Sequence, residues 1–243
     1  MKRSFLCCLL LLALSALPPL PRPASAAAAL SKTLPLYARD MEFYYLKPRP
    51  ETLPGILRVF DAQGALADNR KQLTLAAFFA QVLRANPDAR QRLLPPPDTL
   101  GRNGRRTLAW AAHMAQLPDE TALLDRLLTP EDRLLRGQIS RSPAPLSAWD
   151  IRSEPTVVQM YWTGFMASGD TALLDAIINA ALRYAALKAA GMQNDRAFAV
   201  CAAAASSLYE LAPRHPAVTA RLEQFLQRRS GPEAETLRAI LRK

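Results

Sequence analysis

The stretch Trp110-Ala-Ala-His113-Met114-Ala115, followed by Thr121-Ala-Leu-Leu-Asp125, returns as Trp162-Thr-Gly-Phe165-Met166-Ala167, followed by Thr171-Ala-Leu-Leu-Asp175. The Trp-to-Ala part is displaced by 52 positions and the Thr-to-Asp part by 50, so the second copy has a connection two residues shorter. An echo of this kind marks stacked helix pairs, because each pair buries its apolar face only against a neighbour. A matching pentamer alone carries little in a chain so rich in Ala and Leu. The upstream Trp and Met-Ala, in the same order and at nearly the same distance, carry more. The echo decides the fold class: all-α, a short solenoid-like array of stacked antiparallel helix pairs with no β-sheet.

Working outward, the apolar residues recur every three or four positions, which is helix spacing and not strand alternation. The chain has only 9 Gly, and its 20 Pro fall mostly between the apolar runs, where they mark ends. The spacing predicts a helix over 50–62, with Leu53, Ile56, Leu57 and Phe60 on one face, Pro54 in its first turn and Gly64 after its end. A second is predicted over 73–85, burying Leu75, Phe78, Phe79, Val82 and Leu83 and ending at Asn86-Pro87. Pro95-Pro96-Pro97 is a rigid break, taken as the boundary between an N-terminal helical segment (27–97) and a helical-repeat-like domain (98–243). Beyond it, 107–117 with 119–128 and 155–167 with 170–187 form the two echoed pairs. Thr129-Pro130-Glu131-Asp132 reads as a capped start of a short helix. The 140–153 stretch, with Pro143 and Pro145, is the one long irregular connection, and Phe198 to Ala212, 216–229 and 232–242 supply the last helices.

The first residues have the order of a cleaved secretory signal: basic Met1-Lys2-Arg3, 13 mostly apolar residues from Phe5 to Leu17, then Pro18-Pro19 and small Ala24-Ser25-Ala26. The apolar run is too short for a transmembrane anchor, which needs about 20 residues. Residues 1–26 are therefore expected to be removed, leaving a periplasmic or secreted chain with no membrane span. Loss of Lys2, Arg3 and Arg22 would leave 28 basic residues against 21 acidic. Loss of Cys7 and Cys8 would leave Cys201 alone, so no internal disulfide is available and core packing must hold the fold.

With its Trp162-x-x-Phe165 helix opening, the arrangement resembles helical-repeat proteins of the tetratricopeptide kind. It departs from them in lacking the following Gly-x-x-Tyr and in its longer spacing, so the resemblance implies architecture only. Glu42-Phe43-Tyr44-Tyr45, Pro50-Glu51-x-x-Pro54, Ala85-Asn86-Pro87 and Phe165-Met166-Ala167-Ser168-Gly169-Asp170 are similar to segments of a set of exported bacterial all-α proteins with no assigned activity. That likeness implies no functional residues.

Catalytic signatures are scarce. His113 takes the place of Phe165 in the echo, which favours packing, and His215 in Pro213-Arg-His-Pro216 reads as a surface residue of a helix-start turn. Neither has ligands at metal spacing, so no metal or cofactor is expected. Cys201, on an alanine-rich helix with no nearby His, reads as a buried structural thiol. Asp40 and Glu42 beside Phe43, Tyr44 and Tyr45 are the residual enzymatic option, a carboxylate pair for cell-wall glycoside hydrolysis. The simpler reading is that these aromatics dock the N-terminal segment onto the first helices while the acids face water.

Positive charge concentrates in Gly101-Arg102-Asn103-Gly104-Arg105-Arg106, just before a helix. Backbone N–H groups and the guanidinium groups of Arg102, Arg105 and Arg106 are positioned to converge on an anion, or else to form a solvated loop. Two functions from different classes follow. The first is a non-catalytic protein-interaction scaffold for an envelope or secreted partner. The alternative is a binder of anionic envelope polymer through Arg102, Arg105 and Arg106. Nucleic acid is not expected, since no recognition motif is present.

Overall fold

The computed structural model describes residues 39–242, and the expected leader lies outside the described residues. The fold is all-α, with no strand among the described residues. The helices are α1 (Leu53–Ala62), α2 (Asn69–Ala85), α3 (Arg90–Leu93, a single turn), α4 (Arg102–Ala115) and α5 (Glu120–Leu127). They continue with α6 (Arg133–Arg141), α7 (Pro155–Ser168), α8 (Thr171–Ala189), α9 (Arg196–Leu211), α10 (Pro216–Leu226) and α11 (Gly231–Leu241). Short 3₁₀ turns join several of them.

The centre of the molecule is α2. Every residue from Leu75 to Leu83 is buried, so this helix is enclosed on all sides, which only the middle of a helical bundle allows. It begins four residues earlier than its apolar pattern suggests, because Asp68 caps it by accepting from the Arg70 N–H at 2.9 Å. At its other end the Asn86 side chain donates to the Val82 carbonyl at 2.8 Å, and Pro87 stops the helix. Both α4 and α7 pack on α2 and touch each other far less. The echoed pairs α4–α5 and α7–α8 therefore meet across α2. Beyond α7 the stacking is sequential, with α9 against α8 and the pair α10–α11 against the same layer. One hydrophobic core runs from Met41 to Ile240, so the segments before and after the Pro95–Pro97 break share it.

The expected first helix is present as the 3₁₀ turn Pro50–Thr52 leading into α1, with Leu53, Ile56 and Leu57 buried. The irregular connection between α6 and α7 is held down at two points. Leu146 is fully buried on Gly164, where a Cβ would come within 2.5 Å of the Leu146 Cδ2. The Tyr161 hydroxyl donates to the Trp149 carbonyl at 2.9 Å. Between α2 and α7, the Thr163 hydroxyl donates to the Thr74 carbonyl at 2.7 Å.

Candidate functional site

The basic run does not form a loop. Arg102 opens α4, and the backbone donors and two of the three guanidinium groups that the sequence offered to an anion meet carboxylates of this chain. The N–H groups of Gly101 and Gly104 donate to Asp61 at 2.5 and 2.9 Å. Glycine is required at position 104, because a Cβ there would lie 2.6 Å from the Asp61 carboxylate. The helix N-terminus is thus an anion cradle, occupied by a side chain from the end of α1.

The guanidinium groups of Arg102 and Arg106 both bond to Asp132 Oδ1, at 2.9 and 2.5 Å, and Arg105 donates to the Leu100 carbonyl at 3.2 Å. Asp132 also closes a capping box with Thr129 at the start of α6, as the Thr-Pro-Glu-Asp sequence led one to expect. Burial alone would raise the Asp132 carboxyl. Hydrogen bonds from Arg106, Arg102 and Thr129 outweigh it and hold the group down at about 2. Arg102, Arg105 and Arg106 therefore do not converge on open solvent.

His215 corrects the sequence reading. It is fully buried, not on the surface, because the turn before α10 is roofed by the aromatic segment Phe43–Tyr45. Its ring stacks on Phe43 at 4.7 Å, with Tyr45 Oη 3.2 Å from Nδ1 and Glu42 Oε1 3.2 Å from Nε2. Burial depresses its basicity despite the Glu42 carboxylate, and burial followed by Glu42's charge raises the Tyr45 hydroxyl. The consistent arrangement is a neutral ring that accepts from the Tyr45 O–H and donates from Nε2 to Glu42.

Glu42 is not the water-facing acid expected from the sequence. Its side chain is 15% exposed and also holds Arg214 at 2.5 Å. Both of its oxygens are engaged by basic partners, whereas Asp40 stays exposed. The aromatics do dock the segment as expected, with Tyr44 edge-on to Phe78 and Tyr45 against Phe165.

His113 packs at the position of Phe165 and carries a polar role the echo hid. Its Nδ1 lies 2.8 Å from Glu120 Oε1 and its Nε2 lies 3.0 Å from the Ser142 carbonyl, linking the ends of α4 and α6 to the start of α5. Cys201 is buried and free, and burial pushes its thiol up. Among the described residues no three His, Cys, Asp or Glu side chains gather at metal-binding distance, and no helix is long and apolar enough to cross a membrane.

What the sequence reading missed is a cleft where α2, α4 and α6 meet. It encloses about 250 Å³ and is lined by Asn69, Gln72, Asn103, Arg106, Leu134 and Gln138, with Ala67 and Leu135. Leu134 is 79% exposed beside it. The signal was present as three same-face pairs, Asn69/Gln72, Asn103/Arg106 and Leu134/Gln138, each at helical spacing. Only the packing of α4 and α6 around the start of α2 brings them together. Comparison with protein-family models, with curated proteins and with solved structures finds no match.

Proposed function

We propose that this chain is an exported, non-catalytic helical scaffold that receives an extended segment of a partner polypeptide in the carboxamide-lined cleft. The observation that carries this reading is Leu134, a large apolar side chain 79% exposed beside four carboxamides. A side-chain carboxamide offers both a donor and an acceptor, the complement that a peptide group in an extended strand needs. Gln72 is buried and gives its NH2 to the Leu66 carbonyl at 2.7 Å and to Asn103 Oδ1 at 3.4 Å, so that offer comes from Asn69, Gln138 and the Asn103 amide. Burying Leu134 under a partner side chain is worth about 2 kcal/mol. The one cation in the cleft, Arg106, is engaged by Asp132, which favours a neutral ligand over a polyanion. The cleft is small beside a standard protein interface, so the expected ligand is a short segment bound reversibly.

The test is binding of immobilised heptapeptides of mixed apolar and uncharged polar composition, with Leu134→Ser and Asn103→Ala as probes. Both variants should lose binding at least tenfold, and Arg102→Ala should bind as the parent does. Failure of the parent to retain any peptide, or equal binding by Leu134→Ser, would refute the assignment.

A further inference from the structure

A second cleft lies at the N-terminal aromatic segment, about 260 Å³ in volume, lined by Arg39, Lys47, Arg49, Phe43, Tyr44 and Leu46, with Asp40 and Thr52 also in its lining. Its cations differ in state from the arginines beside Asp132, Glu42, Asp175 and Asp125. Arg102 and Arg106 bond to Asp132, Arg214 to Glu42, Arg221 to Asp175 and Arg136 to Asp125. Arg39, Lys47 and Arg49 form no ion pair among the described residues, and of the charges lining the cleft only Asp40 opposes them. Between these cations stands Leu46, 56% exposed.

The base that carries them is rigid. Phe43 is stacked on His215, Tyr44 is set against Phe78 and Tyr45 against Phe165, so the 3₁₀ turn Tyr44–Leu46 is anchored on three sides. Pro48 and Pro50 keep Lys47 and Arg49 out of the helical region, at φ −143° and −130°, so the two cations follow the turn on non-helical backbone, two residues apart in the chain. Tyr44, a wall of the cleft, is 4% exposed, and its hydroxyl has no hydrogen-bond partner among the described residues. A buried hydroxyl without a partner is costly in a native core unless something completes it.

We propose that this cleft binds the phosphate headgroup of an anionic lipid at a membrane surface, with Arg39, Lys47 and Arg49 on the phosphate and Leu46 entering the apolar zone above it. Basic side chains near a surface of anionic lipid each add attraction, and three together shift partitioning on the order of a hundredfold over a neutral surface. The exposed Leu46 selects the lipid over a soluble phosphorylated polymer, which would leave that side chain in water. The site is separate from the carboxamide cleft, so the protein would hold a partner segment while resting on the membrane.

The experiment is flotation of the purified exported chain with vesicles of phosphatidylcholine alone and with phosphatidylglycerol added. The parent should float with the anionic vesicles about a hundredfold better than with neutral ones. Charge reversal at Arg39→Glu, Lys47→Glu and Arg49→Glu should abolish this, and Leu46→Ser should weaken it severalfold. Circular dichroism confirms that each variant is folded. Reversal of Arg58, Arg84 and Arg238 instead serves as the control for net charge and should lose far less. Three results would overturn the proposal: equal flotation by the cleft variant, equal loss in the control, or displacement from vesicles by soluble polyphosphate with Leu46→Ser unchanged. The last would mark a soluble polymer site.

Discussion

The hairpin α4–α5 and the hairpin α7–α8 solve the same packing problem with different side chains. Trp110 lies edge-on to His113 at 6.5 Å and 72°, and Trp162 lies edge-on to Phe165 at 6.1 Å and 76°. Each pair projects from a helix packed on α2, and the second helix of each hairpin carries an echoed Asp that holds a downstream arginine, Asp125 with Arg136 and Asp175 with Arg221. The differences lie in how each hairpin reaches its neighbours. The first is tied by polar clips, His113 to Glu120 and Ser142, and Asp132 to Arg102 and Arg106. The second is tied by apolar and aromatic contact, Phe165 to Tyr45, and by a Trp162 donor satisfied on Ser207 at 2.7 Å. A repeated motif therefore specifies the inward face of a hairpin and leaves its outward connections free to diverge.

Removing the shared element should have the largest effect. Trp110→Ala and Trp162→Ala should each cost about 3–5 kcal/mol in urea unfolding, since both rings are buried in the one core. A loss confined to one of them would break the equivalence.

Exchanging the position that differs comes next. His113→Phe leaves the Ser142 carbonyl and the Glu120 carboxylate without the ring, and Phe165→His puts a polar ring against Tyr45 and Trp162. Each exchange should cost about 2 kcal/mol by the same assay. A neutral His113→Phe would show the clip to be incidental.

Acid should separate the two hairpins without mutation. The Asp132 carboxyl lies at about 2 when folded against an ordinary 3.8, so its contribution is full above 3.8 and is lost as pH falls through 2. That contribution amounts to about 2 kcal/mol. Asp132→Asn should flatten this acid limb, and Trp110 fluorescence should respond to acid before Trp162 fluorescence.

The smallest effect belongs to the helix ends. Gly169 ends α7 in the left-handed region at φ 70°, where α4 places Gln116 at φ 54°. Gln116→Gly should raise stability by about 0.5–1 kcal/mol, seen as a higher Tm.

The helices were legible because their punctuation is local: Pro54 and Gly64 around α1, Asn86-Pro87 after α2, Gly169-Asp170 between α7 and α8. The start of α2 was obscured by its polar first turn, Asn69-Arg-Lys-Gln72, which has no apolar period to count. In the basic run the sequence showed an anion cradle and not its occupant, since Asp61 and Asp132 reach it from 40 and 30 residues away. His215 was misplaced for the same reason: Phe43 and Tyr45, which bury it, lie some 170 residues earlier. The carboxamide cleft was not legible, because α2, α4 and α6 bring its lining together from distant parts of the chain. The lining of the N-terminal cleft is contiguous, and what the sequence hid there was the docking of that segment on Phe165 and His215.

Native-state hydrogen exchange bears most directly on the role of α2, which sets the two hairpins and the carboxamide cleft in place. Amides of 73–83 in α2 should exchange most slowly, with those of α4 and α7 opening in the same global event. Exchange of residues before Pro95 as an independent, weaker unit would contradict that arrangement.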